Sequence, residues 1–382
     1  MVMTASFPLS DQRCSIVYQF TGTEDAARAN AQALCLDQTV EMAADLVARL
    51  PWADGSIVGR IDEFRPLRPG LSEARVSYPV ELLGRSCAEL LNVVFGISSL
   101  KAGIRVARME LSDTFLKAWS GPRFGRSGLR ARLKVPDRPL LCGVLKPVGT
   151  APRRLAELAY QGALGGLDLI KDDQGFADHP SCPFEERVSR CAEAVSRANR
   201  ETGRNALYIA HVSGGPTAIR RQSRRAIEAG AGGLLLCPGL AGFDMMCELA
   251  EDARVAVPVL SHPALLGSFV IHPESGISPT VLFGQLPRLA GADVTLYPTF
   301  DGPYTVSRED CRLVAEATGE AWGPMKPIFP AAAGRITVDR MDDLGLCYGR
   351  EVVFVLGSEL YRRGSDMAAT CREAMKIVEK IT

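Results

Sequence analysis

The chain has 382 residues, with 44 Lys plus Arg balanced by 44 Asp plus Glu and 47% hydrophobic residues. This composition excludes a disordered, collagen-like or coiled-coil chain, and the absence of a basic excess argues against a nucleic-acid partner. Eleven cysteines occur without a C-x-x-C pair, so no zinc knuckle or thioredoxin motif is available. No secretory leader is visible, and no apolar run approaches the roughly 20 residues of a membrane helix. The expectation is a cytoplasmic protein with reduced thiols and no membrane partner.

In chain order, SIVYQF (15–20) alternates like a strand, and EDAARANAQALC (24–35) reads as a helix with acids in its first turn. IVGRIDEF (57–64) and ARVSYPV (74–80) read as strands, SCAELLNVV (86–94) as a helix and GIRVARMEL (103–111) as a strand. That order predicts a ferredoxin-like α+β unit. From about residue 140, eight short apolar runs alternate with helical patterns: 139–146, 167–173, 206–212, 232–238, 257–262, 293–299, 326–332 and 351–357. Eight βα units match a TIM barrel in number and length; a doubly wound open sheet is the alternative. The expected α/β fold is thus an N-terminal ferredoxin-like α+β domain (1–118) and a C-terminal (β/α)8 barrel (119–382). The Gly- and Arg-rich stretch 113–138 is expected to be a linker packed along the barrel, with a phosphate or nucleic-acid patch as the alternative, and the same reading covers the run IRRQSRR (219–225) within a predicted helix.

A TIM barrel carries its active site at the C-terminal ends of its strands. Those ends hold Lys146, then Lys171, Asp172 and Asp173, then His211, His262, Tyr297 and Thr299, Gly334 and Arg335, and Gly357 and Ser358. Charged groups ending apolar strands need a reason, because burying them unpaired is costly. The cluster IKDDQ (170–174) could hold Mg²⁺ through oxygen ligands or form a buried Lys–Asp pair. Lys146 is a candidate acid, base or anion anchor, and His211 and His262 are candidate acid/base or donor groups. Gly334, Arg335, Gly357 and Ser358 lie where barrels commonly cradle phosphate; a plain turn is the alternative for the glycines.

FLKAWSGPRFGRSGLR (115–130), RPLLCGVLKP (138–147), GGLDLIKDD (165–173), ETGRNALYIAHVS (201–213), RLAGAD (288–293), AAAGRI (331–336) and VVFVLGS (352–358), in this order, resemble the RuBisCO large subunit and its RuBisCO-like relatives. The resemblance implies a homodimer with shared active sites, and higher oligomers built from it. It also implies a carbamylated lysine that binds Mg²⁺ with an aspartate and a glutamate. Lys171 and Asp173 match the first two, while Gln174 stands in the glutamate's place. Lys146 matches the catalytic lysine after the first barrel strand, with Val148 replacing the second lysine of that loop. His262 matches the histidine after strand five, with Pro263 replacing the phosphate-binding arginine. Loop 299–310 holds no lysine, Leu296 and Tyr297 replace the strand-six histidine, and ALCLDQT (33–39) retains only Thr39 of the N-terminal substrate-binding pair.

These departures imply a RuBisCO-like (form IV) protein that does not carboxylate ribulose bisphosphate. The implied chemistry is an enolate-type isomerisation, tautomerisation or decarboxylation of an anionic sugar phosphate or branched sugar-acid phosphate, with Lys146, His262 and Lys171 as the catalytic candidates. Thr39, His211, Gly334, Arg335, Gly357 and Ser358 would hold the substrate, and Lys171, Asp173 and Gln174 the cation. The enolase branch uses a lysine near 91–96, where this chain has Asn92 and Val93, with Lys101 the nearest amine. The alternative from another class is a catalytically reduced small-molecule binder or a scaffold related to stress or sulfur metabolism.

Overall fold

A computed structural model describes residues 9–49, 56–362 and 366–381. The chain divides into two compact units: 1–119 with 266–285 and 322–324, and the remaining residues from 120 onward.

In the first unit β1 (Arg13–Thr21), β2 (Arg60–Arg68), β3 (Leu71–Pro79) and β4 (Ile104–Glu110) form an antiparallel sheet ordered β4-β1-β3-β2. This is the order a ferredoxin-like βαββαβ chain produces. β1 alternates half-buried and buried residues along its length, so Ile16, Tyr18 and Phe20 supply the core face. The helices Glu24–Asp37 and Cys87–Phe95 start where Thr23 and Ser86 accept backbone N–H groups of Ala26 and Glu89. β2 is an exposed edge strand carrying arginines, acids and Pro66, residue types that discourage further strand pairing. On the opposite edge β10 (Gly276–Ile277) adds a short parallel strand to β4.

In the second unit β5 (Leu140–Leu145), β6 (Leu169–Asp172), β7 (Leu207–His211), β8 (Gly233–Leu236), β9 (Val259–Ser261), β11 (Val294–Pro298), β12 (Phe329–Ala333) and β13 (Val353–Leu356) close into a parallel barrel. Val294 and Thr295 pair with Leu260 and Ser261, and Val353–Leu356 pair with Leu140–Gly143, so no strand edge remains. Closure excludes the doubly wound sheet. The helices Phe184–Thr202 and Arg308–Gly319 follow β6 and β11; the first ends at Gly203 with φ +70°, the second begins with a Ser307–Asp310 capping box.

The stretch 113–138 packs along the barrel from residue 120 onward, as expected of a linker, and its arginines are more deeply engaged than a solvated basic run would be. Its helix, Gly125–Leu133, buries Leu129 and Leu133 in the barrel core. Arg126 donates to the Ile328 carbonyl at 2.7 Å and Thr318 Oγ1 at 3.1 Å. Arg130 donates to the carbonyls of Val135, Arg138 and Arg350 at 3.0–3.1 Å and to Glu351. Asp293, just before β11, accepts from the N–H groups of Phe124, Gly125 and Val259. Several of these partners precede β9, β11, β12 and β13, so the helix is a floor under the N-terminal end of the barrel. Arg126 and Arg130 satisfy backbone carbonyls at that end of the barrel, while Arg132 stays exposed. In the helix Pro216–Glu228, by contrast, Ile219, Gln222 and Ser223 turn inward and the four arginines of 219–225 face solvent.

Candidate active site at the C-terminal mouth of the barrel

Side chains alternate along a strand, and the barrel core fixes which parity points inward. Leu140, Cys142 and Val144, then Leu169, Ile209, Leu235, Leu260, Val294 and Leu296, Phe329 and Ala331, and Val353 and Val355 all face that core. Continuing each series by two residues gives one more inward layer: Lys146, Lys171 with Asp173 above it, His211, Cys237, His262, Pro298, Ala333 and Gly357. This layer is the floor of the candidate site. Asp172 has the opposite parity.

Lys146 Nζ donates to Asp173 Oδ2 at 2.7 Å, with the lysine side chain 35% exposed and the aspartate 11%. Lys146 is therefore reachable from solvent, whereas Lys171 lies fully buried beneath it. Gly357 lies beside Lys146: a Cβ there would stand in ordinary contact, 3.9 Å from Lys146 Cε. The Lys146 backbone N–H donates to Tyr361 Oη at 2.8 Å, and that hydroxyl donates to the Val144 carbonyl at 2.9 Å. Tyr361 thus clamps the end of β5 and sets where the Lys146 side chain begins.

Lys171 Nζ donates to the Asp172 carbonyl at 2.7 Å. Burial lowers its pKa, and the nearby Lys146 charge lowers it further, against the pull of Cys142, Asp173 and Asp172. Asp172 is spent on structure: it accepts from Arg187 Nε at 3.1 Å, Tyr208 Oη at 2.8 Å and the His211 N–H at 3.2 Å. Asp172 and Arg187 are both fully buried, so each offsets the other's desolvation.

The two histidines hold their protons on different nitrogens. His211 Nδ1 lies 2.9 Å from the Phe176 carbonyl, which can only accept, so Nδ1 carries the proton. Its Nε2 then accepts from the Cys237 thiol at 3.7 Å, and burial raises that thiol to about 11, keeping it protonated. His262 Nδ1 accepts the Ala264 N–H at 3.2 Å, which leaves the proton on Nε2. Burial lowers the pKa of both rings; for His262, repulsion from Lys171, His211 and Lys146 lowers it further. The result at neutral pH is a hydrogen-bond donor in His262 rather than an imidazolium.

Oxygen donors suit a hard cation. Asp173 and the Gln174 amide are the residues at the mouth that could offer such oxygens, with Lys171 buried beneath them. Gln174 is exposed, and its N–H donates to Asp173 Oδ1 at 3.1 Å.

Gly334 follows β12 with φ +91°, and a Cβ there would meet the Tyr304 ring at 3.0 Å; the lysine-free loop 299–310 folds across this turn. Arg335 (φ +61°) and Ser358 are exposed at the mouth. Tyr297 and Thr299 point away from the mouth: Thr299 Oγ1 shares a 2.9 Å hydrogen bond with Tyr348, and the Tyr297 hydroxyl reaches the Cys311 carbonyl. Thr39 belongs to the first unit, where its hydroxyl donates to the Cys35 carbonyl at 2.6 Å. Cys237 and Tyr361 were not singled out from sequence. Parity along β8 finds Cys237; nothing local announces Tyr361.

Residues 125–371 match the family described as the catalytic domain of the ribulose bisphosphate carboxylase large chain. The chain is 37% identical to ribulose bisphosphate carboxylase-like protein 1 of Rhodopseudomonas palustris, over 93% of this chain and 95% of that protein. It is 34% identical to the 5-methylthioribulose-1-phosphate isomerase of Rhodospirillum rubrum, covering 91% of each chain. A 2,3-diketo-5-methylthiopentyl-1-phosphate enolase of Exiguobacterium sibiricum is 33% identical over 91% of this chain and 88% of its own. Among solved structures, a RuBisCO-like protein from Rhodopseudomonas palustris superposes with a TM-score of 0.88 at 30% identity, over 97% of this chain and 98% of that one. With Gln174 and Val148 at positions that the carboxylase fills with a glutamate and a lysine, the chain belongs to the RuBisCO large-chain family, in its RuBisCO-like, non-carboxylating form IV group.

Proposed function

We propose that the chain catalyses an enolate-type isomerisation of a methylthio-sugar phosphate, with 5-methylthioribulose 1-phosphate as the first substrate to test. The observation that carries this reading is the convergence of Lys146, Lys171, Asp173 and His262 on one inward layer, with Lys146 open to solvent and His262 presenting Nε2–H. Moving a proton between the carbons of a ketose phosphate needs a donor to the developing enolate oxygen and a group that carries the proton. His262 supplies the hydrogen bond, and Lys146, paired with Asp173, carries the proton. A cation held by Lys171, Asp173 and Gln174 would polarise the carbonyl and share the enediolate charge. The backbone around Gly334–Arg335 and Gly357–Ser358 would receive a single phosphate, and His211, buried beneath the mouth, would support the floor of the site.

Isomerisation is favoured over the enolase step by Lys101, the nearest amine to segment 91–96. Its Nζ is committed to Asp37 on the surface of the first unit. The family resemblance further supports a homodimer with shared sites, and no described helix is long and apolar enough to cross a membrane. The test is conversion of 5-methylthioribulose 1-phosphate followed by NMR, beside CO₂ fixation on ribulose bisphosphate. Conversion of the former without fixation on the latter supports the reading; fixation, or no conversion of any methylthio-sugar phosphate, contradicts it.

A further inference from the structure

A cavity of about 430 Å³ lies at the N-terminal end of the barrel, opposite the mouth. Its walls are the end of the helix Gly125–Leu133, the segment 134–138 leading into β5, the turn before β6, the turn 203–206 before β7, and the end of the helix Met367–Val378. Small-molecule sites commonly have this volume. Two of the cavity's ion pairs are closed: Arg138 holds Asp168 through two 2.8 Å bonds, and Asp137 holds Arg350 at 2.6 Å. Three charges remain. The Lys134 ammonium and the Glu379 carboxylate have no partner among the described residues, and the Arg204 guanidinium reaches only the Gly166 carbonyl, at 3.4 Å. Leu133 and Leu167 add an apolar wall.

The two signs come from different parts of the wall. Lys134, Gly203 and Glu379 follow the C-terminal ends of three helices, whose last carbonyls and partial negative charge favour a cation, as Glu379 does. Lys134 and Arg204 favour an anion. A small ligand that answers both signs and the apolar wall is a zwitterion with an apolar body. We infer that this cavity binds a free α-amino acid with an aliphatic side chain. Its carboxylate would meet Lys134 and Arg204, its ammonium Glu379 and the carbonyls of the helix ends, and its side chain Leu133 and Leu167. The site is separate from the mouth: β5, β6 and β7 begin at the cavity, and Lys146, Lys171 and His211 stand at their other ends. The inference goes beyond the isomerase reading and does not depend on it.

L-Norleucine is titrated calorimetrically into the full-length wild type, Lys134→Gly and Glu379→Gln. Hexanoate and pentylamine, which each keep one of its two charges, are the controls. Lys134 has φ +55°, a conformation glycine adopts freely, and Glu379 is exposed, so neither substitution should lower the melting temperature. Wild type should bind norleucine with a Kd of about 1 mM or tighter. Each variant should bind it about tenfold more weakly, as loss of one charge-assisted contact requires, and neither control should bind. Hydrogen exchange of wild type should show added protection in 133–138 and 203–206 when norleucine is present, and this readout decides should a variant fail to fold. No heat from norleucine, equal binding of hexanoate or pentylamine, an affinity unchanged in either variant, or protection confined to the loops at the mouth would each overturn the inference.

Discussion

Asp172 and Asp173 are adjacent in the chain and face opposite sides of the barrel wall. Asp172 turns outward to a fully buried Arg187, and Asp173 turns inward to Lys146 at the mouth. The two carboxylates therefore carry different burdens. Asp172→Asn should destabilise the fold by about 3–5 kcal/mol, because it leaves a buried guanidinium without its counter-charge. Asp173→Asn should leave the melting temperature nearly unchanged while abolishing turnover. Thermal denaturation of both variants checks this, and an equal loss of stability would contradict the division of roles.

The floor helix makes a second prediction. Arg130 bridges three backbone carbonyls and Glu351 beneath the barrel and lies 5.0 Å from the Phe329 ring centroid. Arg130→Ala strands those acceptors and should cost about 3 kcal/mol or more in chemical denaturation. An exposed arginine such as Arg221 should cost less than about 0.5 kcal/mol when replaced by Ala.

The contrast between these arginines shows what could be read from the residues alone. Strand positions, barrel closure in eight units and the inward placement of Lys146, Lys171 and His262 follow from apolar runs and alternation, which are local properties. The fate of Arg126 and Arg130 was not legible, because their partners are carbonyls some 5 to 220 residues away in sequence. The two-residue period along β6 sends Asp172 and Asp173 to opposite sides, which the density of the IKDDQ cluster alone does not reveal. Tyr361 was invisible for the first reason: its partners, Val144 and Lys146, lie more than 200 residues earlier.

Tyr361 offers a third prediction. Tyr361→Phe removes the hydroxyl that joins the Lys146 N–H to the Val144 carbonyl, which should cost about 1–2 kcal/mol of stability. Because that bridge sets the start of the Lys146 side chain, kcat should fall with little change in KM. A KM effect with kcat intact would contradict a role through Lys146.

The buried histidines predict how stability depends on pH. Burial holds the His211 pKa below its ordinary value, while the unfolded chain titrates at about 6.5. As pH falls, the unfolded state takes up the proton first, so this contribution is complete above about pH 6.5 and declines below it. His262, lowered further still, acts in the same direction. Denaturation between neutral and mildly acidic pH should show a decline in wild type and a shallower one in His211→Gln. Equal slopes would show that His211 is not held neutral by the fold.

In the proposed reaction Lys146 moves a proton at a carbon beside the substrate carbonyl. The most direct measurement is NMR of 5-methylthioribulose 1-phosphate incubated in D₂O with wild type and Lys146→Ala, with Mg²⁺ and bicarbonate present. Wild type should isomerise the substrate with proton movement at the carbons flanking the carbonyl, and proton movement should be at least about 100-fold slower in the variant, as loss of a general acid/base requires. Equal rates in the two proteins would contradict it.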